Sequence, residues 1–480
     1  FETFTQWLRG KGATLQAGIG FGVDAATGLR GLAAGAPAAP GEVLVELPAE
    51  LVLTAEKAEA QASAWQQCIG AGSGSSDEVM SPKHTALALM LLEQRAPGSP
   101  WAPWVSVLPQ SFPDFPLFYG EEELDGFQAS PVRKIVLLDQ GAVEHDHGLV
   151  ARAWPELTLE DFRWARAAVK SRVFGLRSLS GGALREEVVA MVPLADFVNH
   201  PLDGVLEANV APAYDASTGA FRLTATRAVG RGEGLYWDYG FKSNRNSLLR
   251  YGFASKARIG LTDMPLFFNL TAFSDPSDDS SRLKMDAITK AQLSNVLSME
   301  SDGTVLHDLH LTLTAPSAEK LLGHMRFLAF HPRNATVLDD FCPGTYCRPI
   351  GLRNERLALR RLSSVLEALL SSYGSSVEED RELVEGDSAV PHEGPRWHTL
   401  LVRYGEKKIL RGFVRLLGAL DPLLDLSPWA LSELVAEQWN SSRSDIHRYV
   451  QRNLTALVEL ETMRWAKRRA KEERTKARTS

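Results

Sequence analysis

"MVPLADFVNH", residues 191–200, decides how the rest of the chain is read. Most of it is apolar or proline, so the segment belongs inside a fold. Yet it carries Asp196, Asn199 and His200. A buried polar group costs free energy unless it finds a partner. One such residue is ordinarily satisfied by a nearby carbonyl or amide. Three within five residues point to a lined pocket.

The flanking segments supply further polar groups in apolar settings. Upstream, "TLEDFRWARAAVKSRVF" (158–174) has helical spacing, with Thr158 and Asp161 placed as a capping box in which Asp replaces the usual Glu. Its apolar face runs through Phe162, Ala165, Val169 and Val173, and Arg172 shares that face. A core-facing arginine needs an anion, either a buried Asp or Glu of the protein or a carboxylate or phosphate of a ligand. Downstream, "LYWDYGFKSNRNSLLRYGF" (235–253) concentrates aromatics around Tyr239 and Tyr251. These are either core tyrosines with satisfied hydroxyls or the walls of a channel for a long aliphatic or cationic side chain.

The chain has 480 residues, enough for two or three domains, with ordinary hydrophobic (44%) and charged (23%) content. A net charge of −7 gives no global attraction to nucleic acid or to an anionic membrane. No apolar run reaches the roughly 20 residues of a membrane span. The three cysteines, Cys68, Cys342 and Cys347, argue against a disulfide framework and suit a reducing compartment; Cys342 and Cys347 could in principle bridge or bind metal. The P-loop, dinucleotide, zincin and nucleophile-elbow motifs are missing, and with no further cysteine near Cys342 and Cys347 a metal site is not expected.

Strand signals occupy the first 55 residues, including "EVLVELP" alternating around Val43, Val45 and Leu47. A helical insert spans about 56–175. Strand character returns at 187–240, where "AFRLTATRAV" alternates Phe221, Leu223 and Ala225 against Arg222, Thr224 and Thr226. After about 256 a strand-rich stretch gives way to helices: "AEKLLGHMRFLAF", "NERLALRRLSSVLEALLSSY" and "RWHTLLVRYGEKKILRGFVRLL". The C-terminal "RWAKRRAKEERTKARTS" is a basic tail, read as solvated.

Together "GLRGLAA" near the start, "PLADFVNH", and "GEGLYWDYGFKSNRNSLLRYGF" resemble the signatures of SET-domain methyltransferases, in the same order and with the same helical insert. The helical half, through "LLGHMRFLAF", "GLRNERLALRRL" and "RYGEKKIL", resembles the substrate-binding domain of the plant Rubisco large-subunit lysine methyltransferase group. The resemblance implies an α+β fold: a SET domain of short strands over 1–255, then an α-helical substrate-binding domain over 256–480. It implies S-adenosylmethionine as cofactor. Gly28, Leu29 and Arg30 would meet it through backbone groups, together with Arg172, Asn199, His200 and Phe253. Tyr239 matches the catalytic tyrosine. Arg172, Phe174, Ala195, Asp196, Tyr239 and Tyr251 would line the substrate side.

The same resemblance implies a protein-lysine methyltransferase acting on a folded non-histone protein, with the Rubisco large subunit and plastid aldolase as examples. It would act as a monomer in the chloroplast stroma, with its protein substrate docked on the helical domain and with neither nucleic acid nor membrane as partner. The chain starts at Phe1, so a leader removed earlier would leave no trace. Histidine methylation, as in an animal branch of the group, is the alternative enzyme. The resemblance to that branch implies Asn two residues after the pocket arginine and Trp just before the pocket aspartate. Phe174 and Ala195 stand at those places here and favour lysine. A catalytically silent SET protein serving as a binding module is the reading from another class.

Overall fold

The computed structural model describes residues 1–23, 30–61, 82–176, 179–180, 183–184, 188–201, 206–240, 242–261, 263–269, 279, 281–284, 304–309, 316–331, 349–386, 391–426, 430, 449 and 453–479. Gly28, Leu29 and the three cysteines lie outside the described residues. The fold is mixed α and β, and it divides into two compact units. One comprises 1–126, 133–258 and 391–399; the other comprises 127–132, 259–390 and 400–480.

In the first unit a four-stranded antiparallel sheet runs in the order Thr14–Leu15, Val43–Leu47, Ala220–Ala225, Val210–Asp215. Phe221, Leu223 and Ala225 are buried as their alternation predicts. Val43–Leu47 departs from it: Val43 is 45% exposed, while Leu44, Val45 and Leu47 are buried. The register slips between Leu223, opposite Val45, and Thr224, opposite Val43. This irregularity leaves Leu44 without a partner on Ala220–Ala225, while its carbonyl accepts from the Gln16 amide at 2.8 Å, and breaks the period of two.

The helical insert packs around Pro82–Glu93, where Thr85 through Leu92 are buried, and around Leu159–Arg172. Thr158 caps the latter, accepting from the Asp161 amide at 3.1 Å. The Asp161 carboxylate takes the Thr158 hydroxyl at 2.6 Å, not the backbone amide of a full capping box. The helix ends at Arg172, and Val173–Leu176 continues as a strand paired with Val188–Met191. Arg172 therefore sits where a helix becomes a strand.

The second unit is mainly helical. Pro316–Ala329, Leu352–Ser372 and the part of the helix Gly394–Leu420 from Leu400 onward carry its core residues, among them Leu321, Met325, Leu359, Leu362, Ile409 and Phe413. A hairpin of Met264–Asn269 and Thr304–Leu309 accompanies them. The basic C-terminal segment, read from sequence only as a solvated tail, belongs to the helix Thr455–Thr479. Its side chains from Thr462 to Arg474 are exposed, in keeping with that reading. Among the described residues no helix is long and apolar enough to cross a membrane.

Candidate active site

Three distant segments are laced together by main-chain bonds in the first unit. The hairpin of Gly20–Val23 with Arg30–Ala33 meets the segment after Glu233 through the Leu235 amide, which donates to the Leu32 carbonyl at 2.7 Å. That segment also meets "FVNH": the Trp237 amide donates to the Asn199 carbonyl at 3.0 Å, and Asn199 bridges Tyr236 in parallel. Gly31 permits the close approach, because a Cβ there would lie 2.7 Å from the Asn199 side-chain nitrogen. The same Asn199 nitrogen donates to the Arg30 carbonyl at 3.1 Å.

Leu194 turns the chain into this crossing. It is buried, with φ 71° and ψ −47°, a conformation that costs a non-glycine residue about 1–3 kcal/mol. The short 3-10 turn Ala195–Phe197 comes next, with Ala195 buried. It brings Asp196 under the Trp104 indole, whose N–H donates to Oδ2 at 3.0 Å. The other oxygen, Oδ1, is buried with no hydrogen-bond partner, and so is Arg172 Nε. Burial pushes the Asp196 carboxyl up to about 7, against the pull of Arg172 and of the Trp104 N–H. Burial also pushes the Arg172 guanidinium down, opposed by Asp196 and Tyr239. So Arg172 does have a buried acid of the protein as its electrostatic partner. The two still leave donor and acceptor capacity unused.

Tyr239 lies beside this pair. Its hydroxyl donates to the Val198 carbonyl at 2.8 Å, and its amide donates to His200 Nδ1 at 3.1 Å. The hydroxyl proton is thereby committed and its lone pairs remain available. Burial, with Tyr251 beside it, raises the phenol further above its ordinary value, so it stays neutral. The rings form a continuous wall. Phe174 meets Trp237 edge-on at 4.8 Å, Trp237 meets Tyr239 at 6.2 Å, Tyr239 meets Tyr251 at 4.9 Å, and Tyr251 meets Phe253 at 6.2 Å. The "SNRNSLLRYGF" stretch is a capped helix, Asn244–Tyr251. Ser243 caps its start, and Gly252 ends it in the left-handed conformation at φ 78°. Asn244, fully buried, clamps Ser255 through both its amide and its carbonyl, at 3.0 and 2.8 Å.

Within "PLADFVNH", Phe197 has two cations near its ring. The Arg30 and Arg172 guanidinium carbons are 6.0 and 5.9 Å from its ring centre, and Arg30 is 4.1 Å from that of Phe21. The structure thus gathers every described residue singled out in the sequence: Arg30, Arg172, Phe174, Ala195, Asp196, Asn199, His200, Tyr239, Tyr251 and Phe253. Sequence reasoning missed Trp104, Phe21 and Phe197. It also missed Arg258, buried, whose guanidinium contacts His200 Nε2. A separate cleft of about 450 Å³, between Trp7, Lys57, Met90 and Trp101, contains none of these residues.

Residues 275–410 match the Rubisco LSMT substrate-binding family model. A solved structure of the LSMT SET domain bound to lysine and AdoHcy superposes with a TM-score of 0.68 at 22% identity, covering 92% of this chain and 96% of that one. The chain has the fold of that SET-domain structure, and its residues 275–410 are similar to the Rubisco LSMT substrate-binding model. Among curated relatives, the chloroplastic Rubisco large-subunit N-methyltransferase of Pisum sativum is 25% identical over 437 residues, 85% of this chain and 80% of its own length. The chloroplastic fructose-bisphosphate aldolase-lysine N-methyltransferase of Arabidopsis thaliana is 25% identical over 429 residues, covering 85% and 81%. The actin-histidine N-methyltransferase of Danio rerio is 24% identical over 396 residues, covering 77% of this chain and 60% of its own length.

Proposed function

We propose that this protein is an S-adenosylmethionine-dependent protein-lysine N-methyltransferase acting on a folded, non-histone protein. Residues 1–255 serve as its catalytic domain and 256–480 as its substrate-docking domain. The observation that carries the reading is the junction of Asp196 and Arg172 with Tyr239, the middle ring of the aromatic wall, with acceptor capacity left over on Asp196 Oδ1.

The residues present fit the cofactor. Arg30 and Arg172, each about 6 Å from the Phe197 ring centre, suit a carboxylate borne on an apolar body. Arg172 Nε is an unsatisfied buried donor on that surface. Asn199 and His200, fixed to Arg30 and Tyr239 respectively, supply the polar rim. When bound, the cofactor supplies a methyl group on a sulfonium.

The chain's own work is alignment and desolvation. The walls from Phe174 to Phe253 accept an alkyl stem and, through their faces, a cationic head. Asp196 Oδ1 accepts from the amine. The Tyr239 hydroxyl, held by Val198, offers it a second acceptor. Two fixed acceptors orient the nitrogen, and such orientation lowers a bimolecular barrier by several kcal/mol, on the order of 7–11 at best. Burial disfavours the ammonium form of a lysine whose free pKa is about 10.4. No hydrogen-bonding side chain occupies position 174, where a flat imidazole's second nitrogen would need a partner. That favours lysine over histidine.

The Rubisco large subunit and plastid aldolase are the substrates to try first, and the plastid the first compartment, because the relatives of those names are chloroplastic. Incubating the protein with methyl-labelled cofactor and a plastid extract, then sequencing the labelled peptide by mass spectrometry, tests the reading. Label on lysine is expected. Label only on histidine overturns the residue assignment, and no cofactor binding by calorimetry leaves a binding module.

A further inference from the structure

The geometry points to Trp104 as a positioning residue of this site: its indole N–H holds Asp196 by Oδ2 and leaves Oδ1 for the substrate amine. This rests on the methyltransferase reading. Trp104 is fully buried in the helical insert, within "SPWAPWV", and its N–H donates to a carboxylate 92 residues away at 3.0 Å. A tryptophan used only for packing would need no acceptor of this kind, since a backbone carbonyl serves. Trp7 and Trp164 both use one, those of Pro100 and Pro109. Trp104 alone among these three spends its donor on a charge.

The bond has two consequences. A carboxylate gripped by one oxygen keeps its rotamer, so the second oxygen is fixed even with nothing bonded to it. The bond also opposes burial. Around Asp196 the charged or titratable groups in electrostatic reach are Arg172, from the helix Leu159–Arg172, and Tyr239, from the segment after Trp237. Besides Arg172, the Trp104 N–H is the side-chain group favouring the ionised form, aided by the backbone amides of the Leu194–Asp196 turn. Removing it leaves desolvation less opposed, so the carboxyl titrates at higher pH. At neutral pH a larger share is then protonated, and a neutral carboxyl is a weaker acceptor for an amine than a carboxylate.

Trp104→Phe should shift the Asp196 carboxyl titration, read by carbon-13 NMR of labelled aspartate in the whole chain, upward by about one pH unit. That is what losing one hydrogen bond to a charged group is worth. Trp101→Phe removes a neighbouring indole, 5.8 Å from Trp104 and without a bond to Asp196. It should leave the titration in place. Where Trp104→Phe fails to fold, 3-benzothienylalanine at position 104 keeps the ring shape and replaces N–H by sulfur, and the same shift is expected. This readout needs no turnover, so it stands apart from the question of methyl transfer. With the labelled protein substrate, the acid limb of kcat/KM should move by the same amount while cofactor affinity stays unchanged. An unmoved titration, or an equal shift in Trp101→Phe, overturns the assignment. So does a shifted titration with an unmoved acid limb in an active enzyme.

Discussion

In the helical unit, Arg326 and Glu355 meet through two parallel bonds of 2.7 Å, both side chains buried, with the Tyr449 hydroxyl also on Glu355. Asp380 is similarly gripped, by Lys407 at 2.7 Å and Arg403 at 3.0 Å. In the other unit, Asp196 and Arg172 share a buried space, yet Oδ1 of one and Nε of the other bond to nothing among the described residues. The first arrangement consumes its polar capacity and contributes only geometry. The second holds some back, at a cost in stability, and unspent buried capacity is what a ligand can use. The titration behaviour agrees. Arg326, the counterpart of Arg172, is raised despite burial because Glu355 stabilises the cation. Asp196 is carried up to about 7 because its partners do not offset burial.

Glu355 is where this contrast is easiest to break. Glu355→Ala leaves Arg326 buried without its carboxylate, and removing one member of a buried pair costs about 3–5 kcal/mol. Urea unfolding should register that loss. A loss below about 1 kcal/mol would mean that the pair is no more than a surface bridge.

Asp196→Asn should have the opposite sign. Between the ordinary carboxylate value of 3.8 and about 7, the folded chain keeps a proton on Asp196 that the unfolded chain has released. The folded pKa is raised, so this group's contribution falls as pH rises through that window and stays low above it. At 1.36 kcal/mol per unit, the variant's stability relative to wild type should improve between pH 4 and pH 8 by up to roughly 4 kcal/mol. Methyl transfer should meanwhile be lost. Parallel stability-against-pH curves for the two proteins would show that Asp196 is satisfied after all.

Much of the fold and site was legible in the residues themselves, and the reasons differ by residue. The Ala220–Ala225 strand obeys its alternation because both its faces are regular. Thr158 announces its helix because capping is local chemistry. Arg172 and Asp196 stood out as charges in apolar settings. Trp104 did not, because a tryptophan in an apolar stretch is ordinary and its acceptor lies 92 residues away. Val43 misled because a register slip depends on the neighbouring strand. The strained turn at Leu194 has no sequence signal, as nothing about leucine favours a positive φ.

Tyr239→Phe probes the held-back capacity more gently. It removes one hydroxyl whose donor already goes to Val198, so the fold and cofactor affinity should remain near wild type. Turnover should drop at least tenfold, about 1.4 kcal/mol in the barrier. Single-turnover rates equal to wild type would remove Tyr239 from the reaction and leave it as one panel of the aromatic wall.

Asn199→Ala should have the smallest effect and asks where the boundary between the two kinds of polar residue runs. The Asn199 amide is solvent-accessible and bonds one backbone carbonyl, that of Arg30. Such a bond contributes about 1 kcal/mol or less to folding. Its backbone, which joins "FVNH" to Tyr236 and Trp237, is unaffected by the substitution. If the side chain belongs with Asp196 and Arg172, its loss should be felt mainly by the cofactor, as an affinity reduced about fivefold, ~1 kcal/mol. Isothermal calorimetry with S-adenosylmethionine and a urea titration on the same preparation separate the two. A stability loss above about 2 kcal/mol with unchanged affinity would place Asn199 with the structural pairs, and would make "MVPLADFVNH" a turn first and a pocket second.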